Sequence, residues 1–181
     1  GAEHTVMHDR LDAGLFMMAA GITGGNVALQ GVQPEHLRIV ETKLEQMGVE
    51  VAHNGGWTRV RGPRQLSPIN VVTTYYPSFP TDLQPSITAL SCVADGDSYI
   101  RETVFEDRLG HVANLRGFGA QLSPEKDRLV IAHGPAKLKA ARVKAHDIRA
   151  GGACVLAALA AEGRSSIANL YQLDRGYDCL E

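Results

Sequence analysis

Cysteine is scarce. Cys92, Cys154 and Cys179 are too few and too scattered for a disulfide framework or a zinc site. Long apolar runs are missing too: none reaches bilayer length, and no charged stretch leads into an apolar one as in a secretory leader. The expected location is therefore the cytoplasm. Charge of one sign is equally lacking. Eighteen Lys and Arg against 20 Asp and Glu leave a net charge of −2 and an isoelectric point near 6.4. Neither a nucleic acid nor an anionic membrane is expected as a partner, and an anion could be held only where a few arginines converge. His4 and His8 have an i,i+4 spacing, but they precede the first apolar helix in an extended stretch, so no metal is expected there.

What the chain does have is a repeat. Around Gly25 it reads "AAGITGGNVALQGV", around Gly96 "SCVADGDSYIRETV", and around Gly163 "LAAEGRSSIANLY". In each, an apolar helix ends at a glycine and an alternating strand follows; the glycines are 71 and 67 positions apart. A second helix follows, "PEHLRIVETKLEQMG" and "EDRLGHVANLRGFG", whose final glycines, Gly48 and Gly119, are again 71 apart. Each is followed by a polar hairpin. A period near seventy exceeds the usual solenoid unit. Residues 3–181 therefore read as one α/β (α+β) domain of three helix–strand–helix–hairpin modules, about 4–62, 69–134 and 141–181. The last is incomplete, as in a piece of something longer.

The helices are of two kinds. Ala13–Ile22, Ser86–Ala94 and Gly151–Ala161 are apolar nearly all round, which predicts burial on every side, with Gly14, Gly151 and Gly152 permitting close approach. The other kind is amphipathic: Leu37, Val40, Leu44 and Met47 form a stripe, and Arg38, Glu41, Lys43 and Glu45 are expected to face water. Three buried helices inside, with sheets and amphipathic helices outside, is the expected architecture.

Each buried helix is preceded by an acid: Asp9, Asp82 or Asp147. Such a residue caps orphan N–H groups at the positive end of the helix. Asp82 differs because Pro80 and Pro85 restrict the backbone on both sides. With Pro85 at the first helical position, Asp82 projects from a stiff loop, where a group that meets a ligand would be held. Arginines accompany the acids. Asp107-Arg108, Asp147-Ile148-Arg149 and Asp174-Arg175 are each expected to open a helix, and a helix start plus a guanidinium suits a carboxylate or phosphate. A single Asp–Arg pair is more often a local surface contact. Three at equivalent places of a repeat point to a shared anionic ligand.

The segments "DRLDAG", "PSFPTDLQ", "ETVFEDR", "HDIRAGGA" and "LDRGYD" occur in this order from Asp9 to the chain end. Together they resemble the enolpyruvyl transferases, in particular those acting on UDP-N-acetylglucosamine. The resemblance implies an inside-out α/β barrel of three modules, one of two such domains that close over the substrates. It further implies enolpyruvate transfer from phosphoenolpyruvate to the sugar 3-hydroxyl in peptidoglycan precursor synthesis, with no cofactor. Asp82 matches the family's aspartate at the 3-hydroxyl, a general base that also orients the nucleophile. Val104 and Phe105 match a contact with the UDP-sugar. Arg108 and Arg175 match arginines at the enolpyruvate and phosphate end; Arg149 matches another of that wall, with Asp147 as its tether.

Other parts of the family pattern have no counterpart here. The Lys-Asn pair, and the mobile loop whose cysteine or aspartate protonates C3, belong to a complementary domain; Cys92 and Cys154 lie in apolar helices, as inert thiols do. Asp107 stands where members usually carry asparagine, Pro85 is unusual, and "DCLE" replaces a more basic stretch. Two other readings stay open. One is the same chemistry on UMP or shikimate-3-phosphate, although Phe105 stands where shikimate enzymes carry lysine. The other is a non-catalytic single domain that binds a sugar nucleotide.

Overall fold

In the computed structural model, which describes residues 1–177 and 180, the chain begins with α1 (Arg10–Thr23), β1 (Asn26–Gln30), α2 (Pro34–Gln46), β2 (Glu50–Asn54) and β3 (Trp57–Arg61). It continues with β4 (Asn70–Val72), a 3-10 turn (Thr81–Leu83), α3 (Gln84–Cys92), β5 (Asp97–Arg101), α4 (His111–Gly117), β6 (Gln121–Glu125) and β7 (Leu129–His133). The last elements are β8 (Arg142–Lys144), α5 (Ile148–Ala160), β9 (Ser166–Ala168) and the short α6 (Tyr171–Asp174). Cys179 lies outside the described residues.

The apolar helices α1, α3 and α5 pack against one another, and every residue of α3 is buried. Burial is less complete on α1 and α5, where Phe16 and Leu159 reach the surface. Glycine sets the spacing. A Cβ on Gly14 would lie 2.6 Å from Leu83 Cδ1, so any side chain there would oblige Leu83 to shift where α1 meets the turn before α3. The helices start where their acids stand. Asp9 accepts from the amides of Leu11 and Asp12, and Asp147 from those of Arg149 and Ala150.

The strands form three sheets, with β1 and β3 against α1, β5 and β7 against α3, and β9 against α5. β1, β3 and β2 are antiparallel in that order; β4, β5, β7 and β6 form the second sheet, parallel only between β4 and β5; β8 and β9 pair in parallel. α2 buries Leu37, Val40, Leu44 and Met47 as expected. Glu41 corrects the expected wet face. It lies four residues after Leu37, inside the stripe, and is buried with its Oε2 3.2 Å from His53 Nε2. Burial raises the Glu41 carboxyl above its ordinary range, and the His53 ring partly offsets this. No helix among the described residues is long and apolar enough to cross a membrane.

Candidate active site

The N-terminal ends of α3 and α5 and the segment before α4 bring four predicted residues together. Asp82 Oδ1 accepts a hydrogen bond from Arg108 Nη1 at 2.8 Å and lies 3.8 Å from Arg149 Nε. Arg149 Nη2 in turn donates to Asp147 Oδ2 at 2.9 Å. Asp82 thus sits between two guanidiniums, and Asp147 both caps α5 and holds the second of them. The cluster is half open: the Asp82 side chain is 43% exposed, that of Arg149 only 16%.

Asp82 is placed differently from expectation. Pro80 leads into the 3-10 turn, which runs directly into α3, so Pro85 is the second residue of that helix and Asp82 lies inside a helical turn rather than on a loop. The amide of Leu83 bonds to Pro80 O, and the Asp82 side chain caps nothing. Its carboxylate is free for partners distant in sequence.

The arginine pairing is also corrected. Arg108 pairs with Asp82, not with Asp107, and α4 starts three residues later at His111 with Gly110 as its cap. Asp174-Arg175 ends α6 instead of opening it. Arg175 is exposed and donates to Gln172 Oε1 at 3.4 Å; among the described residues no hydrogen bond or ion pair joins it to Asp82, Arg108 or Arg149. Of the three local Asp–Arg pairs expected, only Asp147–Arg149 is present among the described residues.

Val104 and Phe105 stand beside this cluster through a residue that motif reading passed over. Glu102, 1% exposed, accepts from the Thr81 hydroxyl at 2.7 Å, the Val104 amide at 2.8 Å and the Phe105 amide at 3.2 Å. It ties the 3-10 turn that carries Asp82 to the loop that carries Val104, Phe105 and Arg108. Burial alone would raise its carboxyl, but the bonds from Thr81, Val104, Thr73 and Phe105 outweigh it and hold the carboxyl below its ordinary range. The Arg108 guanidinium lies 4.0 Å from the Phe105 ring centroid, close enough for cation–π attraction. Strand alternation could have found Glu102. Ser98 and Ile100 point inward on β5, and position 102 continues that parity.

His111 is the second residue missed. It is buried at the start of α4 and lines a small cavity with Arg108, Asp147 and Arg149. Burial, with the Arg149 charge acting in the same direction, pushes its imidazole down to about 4 against the opposing Arg108 backbone. Cys92 and Cys154 are buried, and burial pushes both thiols up to about 12. Among the described residues no group of three or more His, Cys, Asp or Glu is placed to hold a metal. What the cluster can do chemically is offer two guanidiniums to a small anion beside a carboxylate that can accept a hydrogen bond from a hydroxyl.

A family profile described as EPSP synthase (3-phosphoshikimate 1-carboxyvinyltransferase) matches residues 1–181. The UDP-N-acetylglucosamine 1-carboxyvinyltransferase of Geobacter metallireducens is 46% identical over 178 residues, which cover 98% of this chain and 42% of that protein. UDP-N-acetylglucosamine 1-carboxyvinyltransferase 1 of Caldanaerobacter subterraneus subsp. tengcongensis is also 46% identical, covering 100% of this chain and 43% of that protein. Among solved structures, the enolpyruvyl transferase NikO from Streptomyces tendae superposes with a TM-score of 0.82 at 27% identity, over 96% of this chain and 41% of that one. EPSP synthase from Acinetobacter baumannii reaches 0.73 at 22% identity over 95% and 43%, a likeness of fold alone. The chain spans 42–43% of the length of these two curated relatives.

Proposed function

The chain belongs to the EPSP synthase family of enolpyruvyl transferases, and from that premise we propose that it is one domain of a UDP-N-acetylglucosamine 1-carboxyvinyltransferase. The observation that carries the reading is Asp82 held 2.8 Å from Arg108 and 3.8 Å from Arg149, in a chain 46% identical to curated proteins of that name.

In this reading the anionic end of phosphoenolpyruvate takes donors from Arg108 and Arg149, in competition with Asp82. The released carboxylate then accepts the hydrogen bond of the sugar 3-hydroxyl and draws off its proton as the oxygen bonds to C2. A proton added at C3 completes a tetrahedral intermediate. Loss of a proton from C3 and cleavage of the C2–O bond to phosphate then leave the enolpyruvyl ether and inorganic phosphate. Val104 and Phe105 face the sugar nucleotide, and Arg175 joins the phosphate end by a movement on closure. The residue that protonates C3 and the Lys-Asn pair come from a complementary domain, a view supported by the share of the relatives' length that this chain spans. Residues 3–181 form a single inside-out barrel domain, an arrangement favoured by the mutual packing of α1, α3 and α5 with a sheet against each. Both substrates are phosphorylated metabolites of the cell interior, which makes the protein cytoplasmic.

The test is phosphate release by the full-length protein with phosphoenolpyruvate and, in turn, UDP-N-acetylglucosamine, UMP or shikimate-3-phosphate. Release with the first acceptor alone is expected, and Asp82→Asn lowers kcat by ~10²–10⁴-fold. Release only with another acceptor corrects the substrate. A variant as active as the parent removes Asp82 from the chemistry.

A further inference from the structure

Two arginines at the mouths of the buried helices are stacked on aromatic rings. Arg108 lies over Phe105, and Arg10, the first residue of α1, lies over Tyr76 with its guanidinium carbon 4.9 Å from the ring centroid. The first is already engaged with Asp82. The second has no such claim on it: among the described residues the Arg10 guanidinium enters no ion pair. The adjacent acid, Asp9, is turned instead to the amides of Leu11 and Asp12.

Helix geometry places this group. Arg10 and Gly14 are four residues apart and share a face of α1. Gly14 meets Leu83, so Arg10 stands one turn further out, beside the chain that leads into the 3-10 turn of Asp82. That chain is a closed loop. Thr73 and Phe79 pair at its base, and the Ser78 amide donates to Tyr75 O across its tip. The base is bonded to Thr103, between Glu102 and Val104, and the tip carries Tyr76 to Arg10. Tyr75 and Tyr76 at this tip are both largely exposed. Stacking decides what such an arginine can do. A ring takes up the flat face of a guanidinium and leaves the donors along its edge. At Arg108 and Arg149 an incoming anion competes with Asp82 or Asp147; at Arg10 it displaces only water.

We propose that Arg10 is a substrate-binding residue that donates to the diphosphate of the sugar nucleotide, with Tyr76 as the positioning residue beneath it. The inference rests on the reading of Asp82 as the partner of the sugar 3-hydroxyl. In that reading the anionic groups of phosphoenolpyruvate are met by Arg108, Arg149 and Arg175. The other anion of the reaction is the diphosphate. Arg10, brought in by a separate helix, is the guanidinium left for it at these helix mouths among the described residues.

The experiment is phosphate release by the full-length protein, with calorimetry of UDP-N-acetylglucosamine, UDP and uridine, for Arg10→Gln, Tyr76→Leu and Tyr76→Phe. Arg10→Gln should raise KM for UDP-N-acetylglucosamine about tenfold, as for one lost charge-assisted bond. KM for phosphoenolpyruvate and kcat should stay within about threefold. UDP should weaken by the same factor and uridine not at all. Tyr76→Leu should raise the nucleotide KM about threefold, and Tyr76→Phe should keep the parent value because the ring remains. A rise confined to phosphoenolpyruvate, or UDP bound equally by parent and Arg10→Gln, overturns the proposal. Should Arg10→Gln not fold, Arg10→Lys, which keeps a charge without the flat fork, replaces it and should raise the nucleotide KM about threefold. A parent active with UDP-N-acetylglucosamine and indifferent to these variants removes the proposal alone. A parent active only with UMP or shikimate-3-phosphate removes the underlying reading and the proposal with it.

Discussion

Replacing Glu102 by glutamine is the sharpest test of how the site is held, because it keeps shape while it removes the charge and turns one acceptor oxygen into a donor. The carboxylate accepts bonds from Thr81, Val104 and Phe105 at 2.7, 2.8 and 3.2 Å, and the Thr73 hydroxyl adds to its hold on the charge. A bond to a charged acceptor contributes ~1.5–3 kcal/mol against ~0.5–1.5 for a neutral one, so each loses about 1 kcal/mol in the variant. The glutamine carbonyl can still serve both amides, and the Thr81 hydroxyl can turn to accept. The expected loss is therefore ~2–3 kcal/mol, a fall in Tm of ~4–12 °C for a domain of this size. The pH dependence carries the sign. The folded Glu102 carboxyl lies below its usual value near 4.5, so its stabilisation is fully present above that value and fades as pH falls through the folded one. Thermal unfolding of parent and Glu102→Gln from pH 7 to pH 3 should show a constant gap down to about pH 4.5 that closes below it. A gap under ~1 °C at pH 7, or one that persists undiminished at pH 3, refutes the assignment of Glu102 as an ionised anchor.

Two further outcomes test the packing. Gly14→Ala places a methyl carbon 2.6 Å from Leu83 Cδ1; chemical denaturation should find the variant ~1–3 kcal/mol less stable unless Leu83 changes rotamer. Cys92 and Cys154, with thiols pushed up to about 12 by burial, should resist maleimide at pH 8 in the native protein and react after unfolding, as peptide mapping would show.

Local signals carried the helices and hairpins because each depends on neighbours in sequence. The all-round apolar runs became α1, α3 and α5, and the capping acids Asp9 and Asp147 marked two starts within a residue. β4 and β8 left no trace in the reading: each is three residues long and, unlike the equally short β9, follows no glycine-ended helix of the repeat that would mark it. Glu41 was misread because charge was taken as evidence of exposure, although its position in the stripe argued for burial. The change of partner at Arg108 was beyond local reading. Its adjacent acid is Asp107, yet the bond forms with Asp82, 26 residues away, once α3 and α4 are packed.

The contrast between the three acids explains why one of them is left unclaimed by its own backbone while the others cap their helices. Asp9 and Asp147 precede their helices in extended backbone, where a carboxylate falls naturally on the amides of the first turn. At α3 the chain already turns at Thr81, one residue earlier, so Asp82 has entered the helical path when its side chain projects. A carboxylate inside a turn points away from the amides ahead of it and cannot cap them. The 3-10 turn between Pro80 and Pro85 therefore converts a helix-starting acid into an unclaimed one. The guanidiniums of Arg108 and Arg149, brought in by two other elements, take up what the backbone left free. A helix that began in the ordinary way would have kept the same aspartate as a cap.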